Sequence, residues 1–172
     1  MLLLILIFFL LPIWPIFAQD PSWQRLNPGA AVSEAKAIAI DEAQPAVIYL
    51  GLQDALYKTQ DYGENWSLLA QGLISAVNFL LIDKEDSKII YAATQKGLFR
   101  SSDMGESWQK IFTGKDSLQQ DVLGIALCYK PPKAVFIATR SGVFFSPVNR
   151  IIWQKVAGKI SDTTALSIDS DP

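Results

Sequence analysis

The chain has 172 residues, enough for one domain, and its 15 lysines and arginines against 17 acidic residues leave a formal net charge of -2. The basic residues are scattered, so no stripe of charge follows a phosphate backbone and no nucleic-acid partner is expected. There is no histidine and one cysteine, which excludes imidazole-based metal sites, catalytic pairs built on imidazole, and any disulfide within the chain.

Residues 1 to 20 read MLLLILIFFLLPIWPIFAQD, without a charged side chain before Asp20 and with Ile16 and Ala18 placed for a cleavage after Ala18. The expectation is a signal peptide over 1–18 and a secreted or periplasmic product. The alternative is a retained membrane anchor, which would be the chain's one membrane contact. Pro12 and Pro15 interrupt that run, and its length of about 18 apolar positions is marginal against the roughly 20 that span a bilayer.

Past this segment the chain repeats. Trp23, Trp66, Trp108 and Trp153 are separated by 43, 42 and 45 residues. Aligned on them, VIYLGLQDALYKT (47–59), IIYAATQKGLFRS (89–101) and AVFIATRSGVFFS (134–146) superpose without a gap. Each is preceded by another apolar run: AIAID at 37–41, FLLID at 79–83 and GIALC at 124–128. Four short runs rich in Val, Ile, Leu, Tyr and Phe, separated by turn residues, read as four strands per unit. In the second unit they fall at 77–82, 89–94, 97–101 and 107–112. No long helix is expected; AAVSEAKAIAI (30–40) allows a turn or two.

Period and strand count together predict an all-β chain of β-propeller blades, four antiparallel strands each, in preference to a β-sandwich. About three blades are expected within a partial propeller at 19–172, as units at 27–69, 70–112 and 113–156. SWQRL (22–26) reads as an orphan fourth strand, and 164–172, containing ALSID, as the start of a further unit. The ring is therefore expected to be incomplete, the N-terminal part of a larger propeller, or to self-associate if the chain is whole.

Between the third and fourth strands lie TQDYGENW (59–66) and SSDMGESW (101–108). Gly63 and Gly105 suit a tight turn that needs positive φ, Asp61 and Asp103 can accept turn amides, and Trp66 and Trp108 offer an apolar cover. Neither copy has the further oxygen ligands of a calcium loop. A structural role is the expectation, and no metal or cofactor is expected.

These stretches resemble the Asp-box, S/T-x-D-x-G-x-S/T-W, of the BNR repeat found in sialidases, sortilin-type receptors, xyloglucan-cleaving glycosidases and Ycf48-like photosystem assembly factors. Ser101, Asp103, Gly105, Ser107 and Trp108 match throughout; Thr59, Asp61, Gly63 and Trp66 match, with Asn65 in place of the hydroxyl residue. The third unit, SPVNRIIW, keeps Ser146 and Trp153 only. The resemblance implies a propeller and leaves function open, since the box occurs in enzymes, receptors and scaffolds alike.

The loops between second and third strands align as Gln53-Asp54, Gln95-Lys96 and Arg140-Ser141, polar residues that vary between units on a repeated frame. They are the candidate binding surface, for a protein or glycan ligand, and solvated turns are the plainer alternative. Sialidases of this fold, by resemblance, use an arginine triad and a Tyr–Glu pair; Arg25, Arg100, Arg140 and Arg150 are present, but the N-terminal arginine motif is not. Asp41, Asp83 and Asp169 recur at the end of first strands, where a turn role is favoured over glycosidase chemistry, which needs carboxyl groups about 5 or about 6.5–9.5 Å apart. Cys128, within VLGIALCY, is expected as a small buried hydrophobe. The sequence thus predicts an exported binding or assembly-scaffold propeller without a catalytic constellation, with a carbohydrate-active propeller fragment as the alternative.

Overall fold

The computed structural model describes residues 34–69 and 75–157. The expected signal peptide (1–18), Trp23, Arg25, the strand at 22–26, Asp169 and the unit at 164–172 lie outside the described residues.

Three four-stranded antiparallel sheets follow one another along the chain. The first blade is β1 (Ala37–Ile40), β2 (Ile48–Gly51), β3 (Leu56–Thr59) and β4 (Ser67–Leu68). The second is β5 (Val77–Ile82), β6 (Ile90–Thr94), β7 (Gly97–Ser101) and β8 (Gln109–Phe112). The third is β9 (Val122–Cys128), β10 (Ala134–Thr139), β11 (Gly142–Pro147) and β12 (Gln154–Lys155). Each strand pairs with its sequence neighbour, so each blade is a meander. β5 and β7 lie where the repeat placed them; β6 and β8 begin one and two residues later than expected. One element was not foreseen, the short helix α1 (Ser117–Gln120), which starts because Asp116 accepts the Gln119 amide at 2.9 Å.

Period-two alternation decides which residues meet. In β2, Tyr49 and Gly51 face the second blade while Ile48 and Leu50 face away. Tyr49, Leu56, Val77, Leu80, Ile90 and Ala92 form the core between the first two blades, with Leu69, Phe99 and Trp108 packed against it. Gly51 is required there, since a Cβ would stand 2.8 Å from Val77 Cγ1. The second seam is built from Tyr91, Leu98, Phe112, Val122, Ile125, Leu127, Val135, Ile137 and Phe144. Phe112 meets Phe144 at 5.3 Å and the edge of Trp153 at 4.9 Å between ring centroids.

The middle blade is covered on both faces, so every residue of β6 is buried, whereas β1 alternates. Among the described residues, Ile38, Ile40 and Leu68 on the first blade's outer face are more than half exposed. Cys128 is only partly buried, at the end of β9, instead of sealed in the core. Among the described residues no helix is long and apolar enough to cross a membrane.

Antiparallel order sorts the connections to two ends. The β1–β2 and β3–β4 type hairpins lie at one end of each blade, and the β2–β3 type turns at the other, where the chain also passes to the next blade.

Candidate functional site

At the first end, the two hairpins with the Asp-Gly-Trp pattern share one bonding scheme. Thr59 Oγ1 accepts the Asp61 and Gly63 amides at 3.2 and 3.0 Å and donates to Asp61 Oδ1 at 2.6 Å. Ser101 Oγ does the same for Asp103 and Gly105, at 3.2, 2.8 and 2.7 Å. The same Oδ1 also accepts the Asn65 or Ser107 amide, both at 2.9 Å, while Oδ2 accepts that residue's side chain. Asn65 thereby does with its Nδ2 what a hydroxyl does in the second copy. Tyr62 and Met104, both at φ 59°, precede Gly63 and Gly105 at 92° and 90°, a pair of left-handed residues that turns the chain back. Each indole then closes the loop: Trp66 Nε1 donates to Gly63 O at 3.0 Å and Trp108 Nε1 to Gly105 O at 2.9 Å.

These bonds hold both carboxyls well below their usual range. The Asn65 amide, then Thr59 and the Asn65 side chain, bring Asp61 down to about 2. The Ser107 hydroxyl, then its amide and Ser101, do the same for Asp103, also to about 2. Carboxylates so engaged accept hydrogen bonds and are poor bases. Among the described residues no three Asp, Glu or Cys side chains gather as a metal site.

The same end joins the blades. Tyr49 Oη and Lys58 Nζ, from the first blade, both donate to Met104 O of the second, at 3.0 and 3.4 Å. Asp41, buried, accepts the amides of Ala43 and Gln44 at 2.9 and 3.3 Å and the Ser87 hydroxyl of the next blade at 2.8 Å. Asp83, fully buried, accepts the Glu85 amide at 3.0 Å and pairs with Lys133 of the third blade at 2.7 Å. Lys133 also reaches Glu85 at 2.7 Å; burial opposes its charge, but the two carboxylates outweigh that and hold the ammonium above its ordinary range. A groove of about 220 Å³ runs between β1 and β5 with both aspartates on its wall, yet each is committed to its neighbours.

The third blade departs from the scheme. Val148 and Arg150 stand where Asp103 and Gly105 would, and Ser146 Oγ takes over the aspartate's task by accepting the Ile152 amide at 2.8 Å. Trp153 donates to Ile111 O of the second blade, at 2.6 Å, instead of to its own hairpin.

At the opposite end, Gln53, Asp54, Gln95, Lys96 and Arg140 are exposed and Ser141 is half-buried. Their turns are fixed from beneath. Thr94 Oγ1 donates to Gly97 O at 2.9 Å and accepts the Lys96 amide at 3.1 Å; Thr139 does the same with Gly142 O and the Ser141 amide at 2.8 and 3.1 Å. Leu52 N donates to Ala55 O at 2.8 Å in the first blade. Two residues that sequence reasoning missed tie this end together. Asn78 Nδ2, at a bulge in β5, donates to Asp121 Oδ1 at 2.9 Å and Val122 O at 2.8 Å. Asp121 in turn pairs with Arg140, whose side chain is half exposed. The signal available was a polar residue inside the otherwise apolar run VNFLLI.

No protein-family model matches this chain, and no curated protein does. Solved structures match in fold. An ancestral GH74 enzyme superposes with a TM-score of 0.60 at 19% identity over 73% of this chain and 18% of its own. A Ycf48 structure bound to a D1 peptide gives 0.57 at 15% identity over 72% and 40%. The extracellular domain of a hybrid two-component system from B. thetaiotaomicron gives 0.61 at 17% identity over 76% and 19%. The neighbours are β-propellers, and this chain is an all-β set of propeller-type blades. It spans between 18% and 40% of the length of these three structures.

Proposed function

We propose that the chain belongs to an exported binding or assembly-scaffold propeller, and that the end carrying Gln53, Asp54, Gln95, Lys96, Arg140 and Ser141 meets the ligand. The observation that carries this reading is the Asn78–Asp121–Arg140 chain of bonds, which crosses from the second blade to the third and holds an arginine at the surface. Rigid blades presenting varied polar turns are how a repeated scaffold makes a composite surface. Proteins with the same fold include a propeller bound to a peptide and an extracellular domain, which fits a protein ligand and export through the segment 1–18. The hairpins at the other end are read as Asp-boxes with a structural task. The hydrolase alternative draws on the GH74 neighbour, but Asp41 and Asp83, the carboxylates at repeat spacing, are used up in joining blades.

The test presents the full chain to a peptide array and a glycan array side by side. Peptide binding that falls about tenfold in a Lys96→Ala/Arg140→Ala double variant is expected. Glycan binding accompanied by hydrolysis, unchanged in that variant, would sink the scaffold reading.

A further inference from the structure

The seam between the second and third blades is where the repeat breaks, and the break leaves donors without an acceptor. In the first seam Tyr49 Oη and Lys58 Nζ converge on the Met104 carbonyl oxygen. One repeat later the corresponding residues are Tyr91 and Arg100, which pair across β6 and β7 and so share the face that packs on the third blade. The carbonyl that should meet them comes from a left-handed turn. Among the described non-glycine residues only Tyr62 and Met104 adopt it, and the third blade's loop does not.

Tyr91 is 1% exposed, and neither its hydroxyl proton nor the enclosed Nε–H of Arg100 meets an acceptor. Burial pushes the Tyr91 phenol up; Arg100 beside it acts the other way, through hydrogen bonding to the phenol oxygen and then through its charge. Two enclosed donors without an acceptor are uncommon in folded proteins, and each costs on the order of 1–3 kcal/mol. The guanidinium cannot relieve its share by losing a proton. Arg100 borders a cavity of about 270 Å³, lined also by Gln109, Lys110, Ile111, Val148 and Ile151. In the first seam the corresponding volume is filled: Gly105 sits so close to Leu69, the counterpart of Ile111, that a Cβ would come within 2.8 Å of Leu69 Cδ1. The open cavity is much larger than the roughly 30 Å³ that one water occupies.

We propose that this seam binds an aliphatic carboxylate, which supplies the missing acceptor oxygen. Arg100 and the Tyr91 hydroxyl donate to it, and Ile111, Val148 and Ile151 flank its stem. A lysine in the first seam suffices for a single carbonyl oxygen; an arginine in the second brings a fork that matches two carboxylate oxygens. The carboxylate is either a free organic acid or the acidic side chain of a polypeptide. The site lies at the opposite end of the blades from the proposed ligand face and does not depend on that reading.

Nuclear magnetic resonance on the full chain tests this, with Arg100 Nε–H and the Trp153 indole N–H as reporters, since Trp153 bonds the cavity residue Ile111. The probes are butyrate, its neutral isostere butyramide, and a tripeptide with a central glutamate and both ends blocked. Butyrate should shift both signals saturably and bind at least tenfold more tightly than butyramide. Tyr91→Phe should weaken butyrate severalfold without lowering the unfolding midpoint, and Arg100→Lys should weaken it at least fivefold while keeping the charge. Binding of the tripeptide as well identifies a protein side chain as the source; butyrate alone identifies a free acid. Equal responses to butyrate and butyramide, no saturable response to either acid, or undiminished binding in both variants would overturn the proposal.

Discussion

Asp61 and Asp103 show how much one carboxylate organises. Each takes bonds from the residue two before it and from both the amide and the side chain of the residue four after it, and each is thereby held ionised down to about pH 2. The linkage sign follows. A carboxyl whose folded pKa lies below its unfolded value of about 3.9 contributes stability that is complete above that value and is lost as the pH falls towards about 2. Both groups face water, so salt weakens the effect. The urea midpoint of the natural chain should therefore drop between about pH 4 and pH 2, and an Asp61→Asn/Asp103→Asn double variant should drop less over that window. Parallel curves would mean that the two hairpins add nothing to the acid transition. The role of Gly63 and Gly105 was legible in the sequence because positive φ is a local demand. That the indole N–H closes back on the glycine carbonyl was not, because it depends on the loop's finished shape.

At the scale of strands and hairpins, a hairpin of one blade is completed by strands of the blade before it. Tyr49 on β2 and Lys58 on β3 cap the backbone of the 101–108 loop, while Tyr91 and Arg100 on β6 and β7 find no such backbone. Removing a hydroxyl should then have different costs at equivalent positions. Tyr49→Phe is expected to lose about 1 kcal/mol, since Lys58 still serves Met104 O, and Tyr91→Phe to lose none. Equilibrium denaturation of the two variants measures this, and equal losses would mean that the two seams are alike. Sequence alignment pairs Tyr49 with Tyr91 and Lys58 with Arg100 as equivalent residues. Their surroundings differ because the third hairpin carries Val148 and Arg150, whose backbone takes another path.

Across the whole molecule the blades are held by apolar seams and by buried aspartates that reach forward. Asp41 is met by Ser87 and Asp83 by Lys133, so the same position bonds a neutral partner in one seam and a charged one in the next. Asp83→Ala would leave the Lys133 ammonium, 25% exposed, with the carboxylate of Glu85 and the face of the Tyr129 ring. Such a loss should cost about 2 kcal/mol, less than for a fully enclosed pair because water still reaches the lysine. Adding Lys133→Met should recover part of it. No recovery in the double variant would show that the cost came from the turn bonds of Asp83 and not from the stranded charge.

The sequence by itself determined the all-β class, the blade period and the strand positions of the second unit. Period-two alternation and turn residues act within a few positions, and a repeat multiplies that signal. Only the tertiary structure decided which groups satisfy one another. Tyr49 with Met104, Asp83 with Lys133 and Asn78 with Asp121 stand 55, 50 and 43 residues apart. Such pairs depend on how one blade is turned against the next, a rotation that no local pattern encodes. The same rotation, set against a third hairpin of altered backbone, is what leaves Arg100 bordering an open cavity and the Tyr91 hydroxyl enclosed without an acceptor.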